Sequence, residues 1–174
     1  MWTMMESPVG PLRIISDGTA ITAIEFAGPR PVSASRHSSV NRAAELSAGR
    51  PVGERDDDQP VQVEAVRQLT AYFDRELKEF DLRLAPHGTE FQQRVWAQLR
   101  EIGYGETATY GAIAGRLGKS RAASRAVGLA NGRNPIPIVI PCHRVVGADG
   151  TLTGYAGGVE RKQALLDLEQ HALF

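Results

Sequence analysis

The sequence predicts an α/β protein in two parts: a small amino-terminal domain over residues 1–87, built from an antiparallel sheet and a helix, and a mainly helical domain over residues 88–174. Three observations predict it. Two runs with strand periodicity flank the turn Asp17-Gly18. Apolar residues from Val61 onward return at helical spacing. Beyond the break at Pro86-His87-Gly88, two short helical segments flank the turn Gly118-Lys119-Ser120, the layout of a helix-turn-helix.

In chain order, Leu12-Arg13-Ile14-Ile15-Ser16 and Ile21-Thr22-Ala23-Ile24-Glu25-Phe26 form the two arms of a hairpin. Residues 28–59 mix Pro, Ser and Arg with the run Asp56-Asp57-Asp58 and lack periodicity, so a long exposed loop is expected. Val63, Val66, Leu69, Tyr72, Phe73 and Leu77 mark the inner face of a helix over residues 61–77, and residues 80–84 alternate like a further strand. Thr89 is placed to cap a helix with Phe91, Val95, Trp96, Leu99 and Ile102 on one side, broken by Gly103-Tyr104-Gly105. Thr109 caps a short helix through Leu117. A second helix over residues 121–130 then presents Arg121 and Arg125 one turn apart among Ala122, Ala123, Ser124, Ala126 and Gly128. Such a slim surface suits close approach to a nucleic-acid groove and tight packing on another helix equally well. Residues 136–146 read as an extended apolar segment too rich in proline for a central strand. Residues 158–173 close the chain as a helix with Ala164, Leu165, Leu168 and Ala172 on its apolar face.

The formal net charge of zero conceals an asymmetry. Residues 1–87 hold 10 Lys+Arg against 13 Asp+Glu, a net of −3, and residues 88–174 hold 10 against 7, a net of +3. No acid occurs between Glu106 and Asp149, an interval that contains Arg116, Lys119, Arg121, Arg125, Arg133 and Arg144. Cations without intervening carboxylates suit a phosphate partner. No stretch approaches the roughly 18 apolar residues of a membrane span, and the first residues lack the layout of a secretory signal. A cytoplasmic protein without a membrane partner is expected.

Cys142 is the only cysteine. A lone thiol makes no intramolecular disulfide and, unaided, no tetrahedral zinc site. It sits in Pro141-Cys142-His143-Arg144-Val145, where cationic neighbours favour thiolate, the reacting form. A cysteine nucleophile needs a base and the base an orienter; Glu160, Asp167 and Glu169 are the carboxylates that the terminal helix offers, and spacing does not choose among them.

The run from Asn134 to Val146, with Asn134-Pro135-Ile136-Pro137 leading to Ile140-Pro141-Cys142-His143-Arg144-Val145-Val146, resembles the active-site signature of the O6-alkylguanine-DNA alkyltransferases, the methylated-DNA–protein-cysteine methyltransferases. Gly88-Thr89-Glu90-Phe91-Gln92-Gln93-Arg94-Val95-Trp96, Tyr104-Gly105-Glu106-Thr107-Ala108-Thr109-Tyr110, Arg125-Ala126-Val127-Gly128-Leu129-Ala130-Asn131-Gly132 and Gly154-Tyr155-Ala156-Gly157-Gly158 resemble it as well. The resemblance implies a ribonuclease H-like amino-terminal domain and a winged helix-turn-helix-like carboxy-terminal one. It implies a single, irreversible transfer of an alkyl group from O6 of guanine to Cys142, with His143 as base acting through a water, Glu169 as its orienter and Tyr110 as donor to N3 of the leaving base. Asn134 would brace the turn before the active-site segment. Arg125 would fill the gap left by the flipped nucleotide, with Ser124, Ala126, Gly128, Arg121 and Lys119 completing the DNA-binding surface in the minor groove. Val145, Tyr155, Ala156 and Gly157 would wall the base pocket.

The implied partner is double-stranded DNA containing O6-alkylguanine, bound by a monomer; O4-alkylthymine as a second substrate and cooperative binding along DNA stay open. No cofactor is implied. Some members bind a structural zinc through amino-terminal cysteines and histidines, and with one cysteine no metal site is expected. Gly103 stands where members commonly carry proline, and the interval between Tyr110 and Arg125 is one residue longer than in some relatives. The alternative is a non-catalytic helix-turn-helix protein that binds DNA or lesions. Cysteine at position 142 argues against it, because alkyltransferase-like proteins replace that residue.

Overall fold

The alternation around Asp17-Gly18 produces β2 (Leu12–Ser16) and β3 (Ile21–Phe26), paired antiparallel with Ile14 opposite Ile24. Asp17 holds the turn, its Oδ1 accepting from the backbone N–H groups of Thr19 and Ala20 at 2.8 and 2.9 Å. The computed structural model describes residues 1–29 and 53–170, with a further strand ahead of the hairpin. β1 (Trp2–Met5) pairs antiparallel with β2, giving the order β1-β2-β3. The turn Ser7-Pro8-Val9-Gly10 joins it to β2, with the Gly10 N–H donating to Ser7 O at 3.0 Å.

The expected loop over 28–59 falls mostly on residues 30–52, outside the described residues. Its final part, residues 53–59, is largely exposed as expected, but it is tied to β1. The Asp56 N–H donates to Trp2 O at 2.9 Å, the Trp2 N–H to Glu54 O at 3.1 Å, and Thr3 Oγ1 to Asp57 Oδ1 at 2.5 Å. These bonds cover the outer edge of β1, which would otherwise present unpaired backbone groups.

Helix α1 (Pro60–Phe73) starts at a proline that needs no N–H partner, and the Gln59 side chain accepts from the Val61 N–H at 2.7 Å. Its inner face holds Ala65, Leu69 and Tyr72, packed on the sheet. Val63, expected inside, is exposed, and Gln62 and Gln68 are buried in the turns around it. Gln68 also explains why residues 80–84 do not form a strand. Its side-chain amide takes the backbone of Asp81, donating to Asp81 O at 2.9 Å and accepting from the Asp81 N–H at 2.8 Å. Only a single parallel bridge, Ile21 to Leu84, remains.

Thr89 caps α2 (Glu90–Arg100) with a full capping box: Thr89 Oγ1 accepts from the Gln92 N–H and Gln92 Oε1 from the Thr89 N–H. Val95, Trp96, Leu99 and the following Ile102 are buried, as their spacing predicts. β4 (Ala108–Thr109) leads into α3 (Tyr110–Arg116), where Thr109 Oγ1 accepts from the Ala112 N–H at 3.1 Å. The second helix of the pair is split. Residues Arg121–Ala123 form one 3-10 turn, and α4 (Ser124–Gly132) follows. Trp96 Nε1 donates to Ala130 O at 2.9 Å, a buried bond that fixes α4 against α2.

Of residues 136–146, expected to be extended, only the last two are. Pro135, Pro137 and Pro141 interrupt any ladder, and Ile138 lies in the left-handed region at φ 73°, a strained conformation for a β-branched residue. Cys142–Arg144 form a single 3-10 turn, after which β5 (Val145–Val146) pairs parallel with β4. Helix α5 (Val159–Gln170) buries Leu165 and Leu166, but also Lys162 and Glu169; Ala164, expected inside, is exposed, and Ala172 lies outside the described residues. One buried cluster runs through both halves, from Leu12, Ile14 and Ile24 through Leu69, Tyr72 and Trp96 to Ile140, Val145 and Leu165. The Ile24 N–H donates to Pro135 O at 2.9 Å, so the sheet directly holds the segment that leads to Cys142.

Candidate active site

Asn134 builds the approach to the nucleophile. Its Oδ1 accepts from the Ile136 N–H at 3.0 Å and its Nδ2 donates to Ile140 O at 2.8 Å, clamping both ends of the strained turn at Ile138. The Cys142 N–H then donates to Ile140 O at 2.8 Å, and Asn131 Nδ2 reaches Cys142 O at 3.4 Å. Cys142 is only 5% exposed. Burial pushes its thiol up to about 11, against the opposing pull of the Asn134 side chain and the Lys162 charge. The resting sulfur is therefore a thiol, and its proton must be taken by a neighbour at the moment of attack.

That neighbour sits in the same turn. His143 is fully buried, and burial holds its imidazole below the usual range, hence neutral. Nε2 lies 2.8 Å from Glu169 Oε1. The Glu169 carboxylate also accepts from the Tyr72 hydroxyl at 2.8 Å, from Arg144 Nη2 at 2.9 Å and Nε at 3.0 Å, and from the Gly105 N–H at 3.4 Å. Burial raises its pKa, but the bonds and charges of His143 and Arg144 outweigh that and hold it at about 2. Surrounded by donors, Glu169 is an ionised acceptor, which puts the imidazole proton on Nε2 and leaves Nδ1 as the basic nitrogen. Of the three carboxylates open to the sequence reading, Glu169 is the one at the imidazole. Asp167 accepts from Gln163 Nε2 at 2.8 Å, and Glu160 lies on the exposed side of α5.

Arg144 corrects the expectation of a six-cation surface. It is buried, forked onto Glu169, and donates from Nη1 to Ile102 O at 2.5 Å. The exposed cations of the interval are Arg116, Lys119, Arg121, Arg125 and Arg133. Lys119 lies over the Phe91 ring, and Ser124 Oγ donates back to Arg121 O at 2.7 Å, closing the turn before α4. Arg125 and Ala126 are exposed, whereas Gly128 is half-buried and turns toward the Tyr110 ring.

Of the residues expected to wall the base pocket, Val145, Tyr155 and Gly157 are buried and Ala156 is half-buried, and Tyr155 lies near enough to Cys142 to interact with it electrostatically. Phe26 of β3 meets the Tyr155 ring edge-on at 6.2 Å, and a Cβ on Gly157 would come within 2.9 Å of both rings. Tyr110 donates to Thr153 O at 3.2 Å, and burial raises its pKa, so it stays a protonated donor. A cavity of about 330 Å³ lies beside Arg144, lined by Phe80, Ile102, Tyr104 and Pro141, but Cys142 is not among its walls.

Sequence reasoning missed two groups. Tyr72 reaches Glu169 from α1, 97 residues away in the chain, and no local pattern marks it. Lys162 is fully buried on α5, donating to Val145 O at 2.5 Å and Thr153 O at 3.1 Å. Burial lowers it to about 8, opposed by the attraction of a Cys142 thiolate once one forms. A lysine at a helix position flanked by polar residues carries no sequence mark of burial.

Comparison with known families bears on this arrangement. Residues 90–171 match "6-O-methylguanine DNA methyltransferase, DNA binding domain", and residues 1–86 match "6-O-methylguanine DNA methyltransferase, ribonuclease-like domain". The chain belongs to the 6-O-methylguanine DNA methyltransferase family. Within that family it is 46% identical over 168 residues to a methylated-DNA–protein-cysteine methyltransferase of Methanosarcina acetivorans, covering 97% of each chain. It is 46% identical over 166 residues to the protein of that name from Mycobacterium tuberculosis, covering 95% of this chain and 90% of the relative. The crystal structure of Mycobacterium tuberculosis O6-methylguanine methyltransferase aligns with a TM-score of 0.79 at 43% identity, over 98% of this chain and 93% of that one. A structure of the mycobacterial protein in complex with DNA aligns with a TM-score of 0.79 at 44% identity, over 98% of this chain and 93% of that one. The family's fold is thus the one observed here: a three-stranded antiparallel sheet with a helix, followed by a helical half.

Proposed function

We propose that this chain repairs DNA by direct reversal, taking a methyl or other alkyl group from O6 of guanine in a flipped-out nucleotide onto Sγ of Cys142. The observation that carries this reading is the buried imidazole–carboxylate pair, its imidazole in the same turn as the cysteine and its carboxylate on α5. His143 Nε2 is held by Glu169, which leaves Nδ1 to take the thiol proton through a water. As the imidazole becomes cationic, the Glu169 charge stabilises it. The thiolate attacks the alkyl carbon, the S–C bond forms as the C–O6 bond breaks, and the electron pair of that bond passes to the guanine. Tyr110 releases Thr153 O and supplies a proton at N3, regaining one from solvent. The thioether has no leaving group of comparable quality, so each molecule acts once.

DNA is the partner, in keeping with the mycobacterial protein's complex with DNA, and this chain binds it as a duplex. The exposed cations at 116, 119, 121 and 133 meet its phosphates, and Arg125 occupies the space vacated by the extruded nucleotide. The protein acts as a monomer, in the cytoplasm, where a reduced thiol persists.

Intact-mass measurement after incubation with O6-methylguanine duplex tests the reading. One methyl group should appear on the peptide that holds Cys142, with a stoichiometric end point. Cys142→Ala should bind the duplex and gain no mass. Methylation of that variant, or of any other peptide alone, overturns the assignment.

A further inference from the structure

Three large apolar side chains stand exposed among the described residues, Met1, Val63 and Leu129, and Leu129 is furthest out at 60%. A single exposed leucine is ordinary; its setting is what matters here. The outward side of α4 and its flanking turns consists of Arg121, Ala122, Arg125, Ala126, Leu129 and Arg133, all exposed, while Val127, Ala130 and Asn131 face the core. Leu129 therefore lies one helical turn, about 6 Å along the axis, from Arg125, with Arg133 a similar interval further on. The alanines on this side do not rise above the helix, so within α4 Arg125 and Leu129 are the long side chains that project. The Trp96–Ala130 bond and the burial of Val127 fix the rotation of α4, so Leu129 has no route into the core.

We infer that Leu129 is a second, apolar prong of α4, seated in the minor groove against deoxyribose beside the gap that Arg125 enters. This rests on the repair reading above. Charge complementarity names the occupant: no carboxylate occurs from residue 107 to residue 148, and Arg121 and Arg133, which flank the Arg125–Leu129 pair, suit the phosphates bordering a groove. Between those phosphates the groove wall presents sugar C–H groups, which form no strong hydrogen bonds and accommodate an isobutyl group. At about 3.4 Å per base step, a separation of about 6 Å places Leu129 roughly two base pairs from the extruded nucleotide. An apolar side chain there keeps water out of the opened groove and supports the unstacked step. Having no charge, it adds affinity without changing counterion release.

The test uses the full chain with Leu129→Ala, Leu129→Met and Arg133→Ala. Duplex affinity is measured in the Cys142→Ala background across a salt series, and transfer is measured in the native background from O6-methylguanine duplex and from free O6-methylguanine. Leu129→Ala should weaken duplex binding by about fivefold and slow transfer from subsaturating duplex equally. Free-base transfer and the salt slope should stay unchanged, and Leu129→Met should restore binding. Arg133→Ala should instead reduce the salt slope by about one. Duplex affinity of Leu129→Ala within twofold of the parent overturns the inference and leaves the repair reading intact. An equal loss of free-base transfer also overturns it, since the residue would then act on the fold. If the parent protein accepts no methyl group from either substrate, the repair reading falls and this inference with it.

Discussion

Replacing Glu169 by Gln isolates the buried ionic cluster in one measurement. The carboxylate accepts from His143, Tyr72, Arg144 and Gly105, and its pKa is held at about 2 against its usual 4.5. A folded-state pKa below the unfolded one means that the unfolded chain binds the extra proton between those values. The stabilisation is therefore complete above about pH 4.5 and is lost as pH falls toward about 2. A difference of 2.5 between 4.5 and 2 corresponds to a contribution on the order of 3 kcal/mol at neutral pH. The amide keeps one acceptor but turns a donor toward Arg144, whose buried charge then lacks a counter-ion, a loss of similar size. Urea unfolding of both proteins between pH 7 and pH 2.5 is the assay. The parent should be more stable by about 3 kcal/mol at pH 7, and the two curves should converge as the parent's carboxylate takes up its proton. Methyl transfer by the variant should fall about a hundredfold or more, because the imidazolium loses its balancing charge. Curves that stay parallel from pH 7 to pH 2.5, or an unchanged transfer rate, would refute the reasoning.

Lys162→Met removes a buried cation that attracts the thiolate and ties Val145 to Thr153. Its transfer rate should drop about tenfold at pH 7, and because Lys162 itself titrates near 8, the gap in thiol alkylation by iodoacetamide should narrow above that pH. A gap constant to pH 9.5 would remove Lys162 from thiol activation. Gly157→Ala places a methyl group within 2.9 Å of Phe26 and Tyr155, both confined by the core. Overpacking of this kind should cost about 1–3 kcal/mol in urea unfolding and slow transfer from duplex; full stability and full rate would show that the loop yields. Trp96→Phe deletes the buried bond to Ala130 O, so unfolding should become easier by about 1–3 kcal/mol. Affinity for duplex should fall with it, as α4 loses its anchor, and unchanged affinity would mean that packing alone holds the helix.

Where physics is local, the sequence was sufficient. Thr89 and Thr109 cap their helices as their spacing requires, Asp17-Gly18 turns the hairpin, and Val95, Trp96 and Leu99 fall on one buried face. Cys142 and His143 were legible as candidates because they adjoin in the chain, but the expected cationic aid to the thiol was not, since burial lowers the His143 pKa and Arg144 is committed to Glu169. Tertiary structure decided the rest, since its partners lie far apart in the chain. Glu169 stands at the imidazole because it is the terminal-helix carboxylate that Tyr72, Arg144 and His143 surround with donors. Arg144 left the cationic surface to join that cluster, and Lys162 went inward because two backbone carbonyls were there to receive it. The strand expected over 80–84 failed because Gln68, from a neighbouring helix, claimed its backbone bonds. Caps, turns and periodicity act within a few residues and so are written in the chain, whereas the burial of a charge depends on counter-groups that only folding brings near.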